Sequence, residues 1–518
     1  MDIKRLLSYG YLFKELPPCF TSVSFGENYE RITGLNFETN KCIEFSIPKG
    51  QYSRRLLSLP HPSNYIQLSR HLCETRNWSI LKRHYSKSRF SHSQVIENEK
   101  AGQYVLSKSN RAIKTNYDRL DNSKEKIIID SFDMLYELQL DISKFYPSIY
   151  SHSFVWALLG KDRAKQLWRL KKSKTTEPDF PIYDFGDKLD NYTRYAQDNQ
   201  SVGIPIGPDT SHILSEIIAV YLDDLLESEF PKVKAFRYFD DYNIYLETEE
   251  MAQKVLKYLQ QVLADLQLSI NESKLKVQKF PFAFQNQWIK EIHDVSFTKL
   301  NTSNIKQYFS VLFGLAKQNP EKSGTIFSYA LRTFEKRSTE IDEKRWLVFE
   351  SLLLKSILIE PSILEIASRI FETYRRFVST DKLETTLRRL LEYHSDFNHH
   401  YETLWALWIY KQFKLELSSS FVEKLIDSAD NFSILMLLDL NNHGYIADDG
   451  LTSDQLEEIK DLIELEGPTD WLLYYEAVEV KKWIAAAKRP GYESLSVAGI
   501  TFFDSNAAIK TFDIPRNE

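Results

Sequence analysis

Three aspartates in the first half of the sequence have the spacing of an acidic metal site. Asp141 ends the apolar run LQLD, where a strand would carry its carboxylate into a cleft. Asp240 and Asp241 lie between the alternating aromatic and apolar residues of RYFDDYNIYL, a pattern that predicts a β-hairpin with its turn at the acid pair. Magnesium prefers oxygen ligands and is commonly held by carboxylates together with phosphates. The three acids therefore predict a two-metal Mg²⁺ site, with Mn²⁺ as a substitute.

Basic residues on either side of these acids have the chemistry to bind a nucleotide. The segment IPKGQYSRRLLSLP offers Lys49, Arg54 and Arg55 to a triphosphate. In LQLSINESKLKV, Lys274 follows a predicted helix and would stabilise a leaving pyrophosphate or donate a proton to it.

A loop rich in glycine and proline, GIPIGP, precedes a long amphipathic helix. Residues 209–211, Asp-Thr-Ser, are expected to cap that helix. Flexible backbone at Gly207, next to a helix N-terminus, suits the close approach of a nucleotide or a template strand.

The elements that position these residues follow an α+β pattern up to about residue 300. Strands are expected in NKCIEFSIP, KIIIDSFDMLYELQLDI and KAFRYFDDYNIYLE, and helices in SHILSEIIAVYLDDLLESEF and EEMAQKVLKYLQQVLADLQ. After residue 300 nearly every segment has helical periodicity, with helix starts about 20 residues apart, as in stacked solenoid repeats. We therefore expect a mixed domain over residues 1–300 and an all-α, HEAT-like domain over residues 301–518.

Composition narrows the class of protein. The 518 residues carry a net charge of -6, but residues 51–120 have a local net charge of +9 and residues 401–518 one of -11. The basic segment is suited to phosphates, and the acidic region to a basic surface, which favours a homo-oligomer. Three widely spaced cysteines and the lack of an 18-residue apolar run predict a protein of the reducing cytoplasm with no membrane span.

Taken singly, each motif has an ordinary explanation, since aromatic–acid pairs occur at many hairpin turns and most GxPxG segments are plain loops. Read in order, they resemble the palm of a reverse transcriptase: the strand acid Asp141 followed by Tyr146, then GIPIGP, YFDD and NESK. The segments FYPSIYSHSFVWALLGK, GIPIGPDTSHILSEII and IPKGQYSRRLLSLPHPSNY are most similar to the abortive-infection polymerases, phage-defence relatives of reverse transcriptases.

This resemblance implies reverse-transcriptase-like fingers and palm, with Asp141, Asp240 and Asp241 as catalytic carboxylates and Tyr146 as the aromatic gate against a ribose 2′-hydroxyl. It also implies template-independent addition of dNTPs, primed by a protein hydroxyl, with single-stranded DNA left covalently attached. A tyrosine is the expected primer, but the chain has 29 tyrosines, and Tyr9 and Tyr11 near the N-terminus are no better than guesses.

Two other functions fit the sequence. A templated reverse transcriptase of the retron or group II intron type differs by copying an added RNA, although Ile206 replaces the glutamine that such enzymes carry before the loop glycine. A non-catalytic nucleic-acid-binding scaffold would use the helical repeats as its working surface, but the presence of all three acids argues against it. The pair His399–His400 has no third partner at metal-ligand spacing, so we expect it to be structural.

Overall fold

The computed structural model describes residues 1–34, 38–50, 53–103, 110–115, 120–170, 176–282, 286–295, 301–337, 341–428, 430–465 and 470–512. Strands and helices are mixed up to residue 279, and the described residues beyond that point are helical or irregular. The strands are β1 (Ile43–Lys49), β2 (Ser53–Leu59), β3 (Ile96–Glu97), β4 (Ile113–Lys114), β5 (Tyr136–Asp141), β6 (Lys234–Tyr238), β7 (Asp241–Leu246) and β8 (Lys276–Lys279).

Twelve α-helices are described in the mixed region. They are α1 (Ile3–Tyr9), α2 (Val23–Asn28), α3 (Pro62–Cys73), α4 (Thr75–Tyr85), α5 (Leu120–Asp130), α6 (Phe145–Ser148), α7 (Ser153–Leu159), α8 (Lys161–Leu170), α9 (Phe180–Tyr195), α10 (Asp209–Glu229), α11 (Glu249–Asp265) and α12 (Gln287–Asp294).

The central sheet has the strand order β6-β7-β5-β8, and its neighbouring strands are antiparallel. Leu138 and Leu140 of β5 are buried on one face, where α11 packs against β5 and β7. The helix α10 packs beside α11 and reaches the same sheet through Tyr242 of β7, whose hydroxyl donates to Asp223 at 2.9 Å. This layered arrangement confirms the predicted α+β organisation, and it leaves the β6–β7 turn at one edge of the sheet.

The predicted strand, hairpin and helices around the acids are present, with one exception. The β-branched run KIII was expected to begin a strand, but residues 126–130 form the last part of α5. Ser131 continues the helical bonding, since its backbone N–H and its hydroxyl both donate to the Ile127 carbonyl. Local helix continuity therefore overrides the strand propensity of the isoleucines, two of which remain exposed on this helix.

The C-terminal region consists of helices joined by short connections. They are α13 (Thr302–Gln318), α14 (Ser323–Arg337), α15 (Glu343–Ile359), α16 (Leu364–Thr373), α17 (Thr380–His394), α18 (His400–Phe413), α19 (Val422–Asp427), α20 (Asn431–Asn442), α21 (Ser453–Leu465), α22 (Trp471–Tyr474) and α23 (Glu493–Val497), with a π-helix at Tyr475–Val480.

Packing in this region joins helices that are one or two apart in the sequence. Helix α13 contacts α14 and α15, α14 contacts α16, α15 contacts α17, and α16 contacts α18. The predicted spacing of helix starts is confirmed from α13 to α18, whereas the HEAT-like classification of these helices stays a prediction. Within the described ranges, none of the helices combines the length and the apolarity needed to cross a membrane.

The first residues of the chain pack against its last described segment. Phe20 forms an antiparallel bridge with Phe503, and the Thr21 N–H donates to the Phe502 carbonyl at 3.0 Å. The Trp405 indole of α18 donates to the Glu15 carbonyl at 2.8 Å. The N-terminal segment is thus held by the helical region as well as by the mixed region.

Candidate active site

The three predicted acids converge at one edge of the central sheet. Asp141 ends β5 and lies directly opposite Asp241, the first residue of β7. Asp240 occupies the two-residue turn between β6 and β7, and its carbonyl accepts from the Ile142 N–H at 3.2 Å. The strand end and the hairpin turn therefore bring the carboxylates together, as the sequence pattern predicts.

A buried arginine fixes the shape of this hairpin. Arg237 of β6 is fully buried and forms ion pairs with Glu216 and Asp223 of α10 at 2.9 and 2.8 Å. Its guanidinium also donates to the carbonyl of Phe239, which has a left-handed φ of 56° in the turn. The Phe239 N–H donates to Ser93 Oγ at 2.8 Å. These contacts satisfy the turn's backbone and tie it to α10, which fixes the direction of the two acids.

The electrostatics of the acid cluster differ from one carboxyl to the next. Desolvation by burial raises the pKa of Asp240, and the nearby negative charge of Asp141 raises it further. The pKa of Asp241 is raised to about 6 by desolvation and by its hydrogen bond with the Asp141 carboxylate. Burial also acts to raise the pKa of Asp141, but hydrogen bonds from Lys274 and Asn271 lower it overall. The cluster therefore holds more negative charge than its protein neighbours neutralise.

Lys274 and Asn271 reach the cluster from the connection between α11 and β8. Lys274 Nζ lies 2.6 Å from Asp141 Oδ2 and 3.6 Å from Asp241 Oδ1. Asn271 Nδ2 donates to Asp141 Oδ1 at 2.9 Å, and its backbone N–H donates to the Asp141 carbonyl at 2.8 Å. A 3-10 turn, Glu272–Lys274, places both side chains on the same carboxylate.

Tyr146 lies one short turn beyond the strand that ends in Asp141. It belongs to α6, its carbonyl accepts from the Ile204 N–H at 3.1 Å, and its hydroxyl hydrogen-bonds with Ser215 of α10. Burial raises the pKa of this phenol, and the neighbouring charge of Asp240 raises it as well, whereas Arg55 lowers it. The ring is thus held in a fixed position beside the acid cluster.

The β1–β2 hairpin separates the basic residues that the sequence grouped together. Successive residues of a strand project to opposite faces, so Arg54 and Arg55 of β2 point in opposite directions. Arg55 contributes positive charge at Asp240 and at Tyr146. Arg54 instead forms an ion pair with Glu402 of α18, which corrects the expectation that both arginines face a triphosphate. Lys49 is exposed at the end of β1, beside the hairpin tip.

The GIPIGP loop packs between the β1–β2 hairpin and the residues that follow α6. The Ser58 N–H of β2 donates to the Ile206 carbonyl at 2.8 Å, and Gly203 donates to the Ile149 carbonyl at 2.8 Å. Gly207 has a φ of 124°, and a Cβ at this position would lie 2.4 Å from the Phe13 ring. Glycine is therefore required here by the packing of Phe13 as well as by backbone conformation.

The predicted cap of α10 does not form. The helix begins at Asp209 and has no side-chain cap hydrogen bond. The Asp209 carboxylate instead accepts from Arg111 Nε at 2.6 Å and from the Ile113 N–H at 2.9 Å, because Arg111 brings the opposite charge to a buried acid. Arg111 also donates to the Gly207 carbonyl at 2.9 Å, so that it links the loop to the helix start.

Sequence reasoning missed the residues that support this site from a distance. Ser93 and Arg111 lie in segments with no recognisable motif, and Arg237 begins the RYFDDYNIYL segment without any local sign of its role. Only the acids Glu216 and Asp223 on an otherwise apolar helix face signal a buried basic partner. It also missed that His394 and Glu402 lie beside His399, with one ligand atom of each residue within 4.8 Å of the others.

One family model matches the part of the chain that contains the acid cluster. Residues 135–310 match the family model described as reverse transcriptase (RNA-dependent DNA polymerase). This segment is similar to reverse transcriptase domains. It contains Asp141, Asp240, Asp241 and Lys274, whereas Arg55 and the rest of the β1–β2 hairpin precede it. The similarity to reverse transcriptases is shown for residues 135–310.

Other comparisons add little to the reverse transcriptase assignment. Among curated proteins, none matches this sequence. Solved structures with some similarity include apo telomerase from Candida tropicalis, at 11% identity and a TM-score of 0.34, covering 91% of this chain and 71% of that one. A second is telomerase from the same organism with a TWJ fragment of telomeric RNA, at 12% identity and a TM-score of 0.31, covering 73% of this chain and 65% of that one. Similarity at this level does not establish a shared fold or activity.

Proposed function

We propose that this protein is a DNA polymerase of the reverse transcriptase superfamily, which adds dNTPs to a hydroxyl and releases pyrophosphate. The observation that carries the proposal is the convergence of Asp141, Asp240 and Asp241 within the reverse transcriptase domain, with Lys274 bound to the first of them. Acids at these positions have the charge and the donor atoms that a phosphoryl transfer site requires.

The residues present fit a divalent metal site. Desolvation by burial raises the pKa values of Asp240 and Asp241, and the negative charge of the neighbouring acids adds to this effect, which a bound cation would relieve. All three acids offer the oxygen ligands that Mg²⁺ prefers, and Mn²⁺ would serve as a substitute. Bound metal would activate the attacking hydroxyl and neutralise charge on the phosphates.

The chain's own side chains would orient the nucleotide around these acids. Arg55 faces the cluster and is proposed to bind the triphosphate, while Lys49 at the exposed hairpin tip is available to its outer phosphates. Tyr146 lies beside Asp240, where its fixed ring would restrict the sugar. Lys274, which lies 3.6 Å from Asp241 Oδ1, is proposed to stabilise the charge that develops on the leaving pyrophosphate.

The finer assignment is to the abortive-infection polymerases, with template-independent, protein-primed synthesis. The sequence segments FYPSIYSHSFVWALLGK and GIPIGPDTSHILSEII support it, as does the helical region that follows the mixed region. We divide the chain into a polymerase domain, residues 1–300, and a helical-repeat domain, residues 301–518.

A homo-oligomer with covalently attached DNA belongs to the same proposal. Light scattering of the purified protein would test whether it forms an oligomer.

The priming hydroxyl must be accessible to the site. Tyr11 is fully buried and donates to the Pro60 carbonyl at 2.7 Å, which argues against it as the primer. Tyr9 is partly buried.

The deciding experiment incubates the purified protein with Mg²⁺ and labelled dNTPs, without template or primer, and resolves the products on a denaturing gel before and after proteinase treatment. A labelled ladder that stays with the protein until proteolysis supports protein-primed synthesis. The Asp240→Asn variant is the control and is expected to give no label. No incorporation under any condition, including added RNA and primer, would contradict the polymerase assignment and favour a nucleic-acid-binding scaffold.

The second candidate function is templated DNA synthesis of the retron or group II intron type. The matching family model is described as an RNA-dependent DNA polymerase, and this description favours the candidate. Label that appears only when an RNA template and a primer are added, with products that copy the RNA, would select templated synthesis over the first candidate.

A further inference from the structure

The β1–β2 hairpin lies between the acid cluster and the helical region. Its two strands pair from Ile43 with Leu59 to Lys49 with Ser53. Arg55 on one face of β2 contributes positive charge at Asp240, and Arg54 on the other face contacts α18. One short element therefore connects the candidate nucleotide site to the C-terminal half of the chain.

The contact with α18 is a forked ion pair. Arg54 Nη1 lies 2.5 Å from Glu402 Oε1, and Nη2 lies 2.8 Å from Glu402 Oε2. The Glu402 carboxylate is only 2% exposed. A planar guanidinium bound to both oxygens of a buried carboxylate is restricted in orientation as well as in distance.

The same guanidinium also fixes the neighbouring strand. Arg54 Nε donates to Ser46 Oγ at 2.9 Å, and Nη2 donates to the Ser46 carbonyl at 3.1 Å. The Ser46 N–H donates to His400 Nδ1 of α18 at 3.2 Å. Helix α18 thus holds both strands of the hairpin by hydrogen bonds.

Apolar packing reinforces these polar contacts. Phe45, next to Ser46, is fully buried, and its ring packs edge-on against Phe432 of α20 with centroids 5.0 Å apart. The Phe13 ring stacks on the Phe45 ring, with centroids 5.9 Å apart. The hairpin is therefore attached to the helical region by the apolar packing of Phe45 as well as by the Arg54–Glu402 ion pair.

We propose that Glu402 is a positioning residue for the nucleotide site: by holding Arg54, it fixes the strand that presents Arg55 to the triphosphate. This inference rests on the proposed polymerase function. Because Arg54 already binds both oxygens of Glu402, the nearby His394 and His399 are better explained as neutral groups packed beside this ion pair than as metal ligands with it.

The matched control is a second buried ion pair that does not involve the hairpin. Arg369 of α16 binds Glu335 of α14, with Nε at 2.8 Å from Oε1, and Glu335 is fully buried. Each variant removes a buried carboxylate from an arginine, and both should lower the melting temperature, Glu335→Ala by less because Arg369 keeps its contact with Glu365 Oε1 at 2.7 Å. Only the first is expected to affect nucleotide binding.

The kinetic test measures dNTP incorporation by the wild type and the variants. Glu402→Ala is expected to raise the KM for dNTP about tenfold while kcat changes by no more than about twofold, because the substrate's contact is misplaced but the acids are not. The variant Glu402→Gln, which keeps the side-chain volume, should give an intermediate KM and serves if the alanine variant does not fold. Arg54→Lys keeps the charge but lacks the planar fork, and it should also raise the KM. Glu335→Ala should keep the wild-type KM.

Hydrogen exchange provides a readout that does not need activity. Amides of residues 43–50 and 53–59 should exchange faster in Glu402→Ala than in the wild type, and those of β5 and β7 should not. An unchanged KM in Glu402→Ala, an equal rise in Glu335→Ala, or unchanged hairpin exchange would overturn the inference. If the wild type incorporates no dNTP, the polymerase proposal fails, and the exchange experiment still decides whether Glu402 holds the hairpin.

Discussion

Lys274 Nζ donates to Asp141 Oδ2 at 2.6 Å, across 133 residues of sequence. The lysine thereby lies among the carboxylates that would bind metal, and it neutralises part of their charge when no cation is bound. Its second neighbour, Asp241, is 3.6 Å away. A cation that binds these acids must share them with the lysine or displace it.

Removal of this lysine should therefore separate metal binding from turnover. We expect Lys274→Met to bind Mg²⁺ more tightly, because the acids lose a competing positive charge, and to lower kcat by at least about tenfold, because the leaving pyrophosphate loses its stabilising group. The measurement is incorporation rate as a function of Mg²⁺ concentration. A higher Mg²⁺ requirement in the variant would show that the lysine supports the metal site instead of competing with the cation.

Neutralising the carboxylates should abolish incorporation without unfolding the protein. Asp141→Asn and Asp240→Asn are each expected to reduce dNTP incorporation by at least about a hundredfold, since each removes a metal ligand. Asp240→Asn should keep the wild-type melting temperature, because the charge of Asp141 disfavours the Asp240 carboxylate in the metal-free cluster. Asp141→Asn should lower it slightly, because Lys274 loses the carboxylate that it binds at 2.6 Å. Asp224→Asn, at a half-exposed ion pair with Lys87, is the control and should remain active. Activity retained by both cluster variants would refute the site.

Tyr146 should control discrimination against ribonucleotides. Tyr146→Ala removes a fixed ring beside Asp240 and is expected to lower the preference for dNTPs over rNTPs by at least about tenfold, because the 2′-hydroxyl gains space. Tyr146→Phe keeps the ring, loses only the hydrogen bond with Ser215, and should discriminate as the wild type does. Competition between labelled dNTP and rNTP measures the ratio, and an unchanged ratio in the alanine variant would exclude the gate.

Glu476 should make the stability of the protein depend on pH. Burial raises its pKa from 4.5 to about 7, so between these values the folded chain keeps a proton that the unfolded chain has lost. The contribution of Glu476 to the stability is therefore largest below pH 4.5. It falls as the pH rises from 4.5 to about 7 and does not change further above pH 7. The shift corresponds to about 3 kcal/mol in the free energy of unfolding.

The variant Glu476→Gln isolates this contribution. Its side chain can still accept from the Phe502 N–H, which binds Glu476 at 2.6 Å, and it no longer titrates. Melting temperatures of the two proteins from pH 5 to pH 8 should converge at the acidic end and separate towards pH 8, where the wild type is less stable. Parallel curves would mean that Glu476 does not titrate in this range.

The strands and the helix around the acid cluster could be predicted from the sequence because the motifs that specify them are local. A strand ending in an acid, a turn flanked by alternating residues, and a long amphipathic helix are each specified by a few neighbouring side chains, and β5, the β6–β7 hairpin and α10 form as predicted. The strand predicted at KIII is wrong, because helical hydrogen bonds continue through Ser131 and outweigh the strand propensity of the isoleucines.

Local motifs could not predict the contacts between segments that are far apart in the sequence. The alternation of side chains along β2 separates Arg54 from Arg55, but only the position of α18, about 350 residues later, decides which face meets the helical region. Similarly, the packing of Phe13 against Gly207 could not be predicted from the loop, while the approach of a nucleotide to Gly207 stays a prediction. Pairings of this kind depend on the assembled fold and leave no local trace in the chain.

The bridge between Phe20 and Phe503 has a consequence for how the molecule unfolds. Because the N-terminal segment pairs with the far end of the chain, and α18 binds both that segment and the β1–β2 hairpin, the border near residue 300 separates two sequence patterns without separating two units of stability. Heating should melt both regions in one transition, and a cut at that border would leave each part with an uncovered apolar face in place of an independent domain.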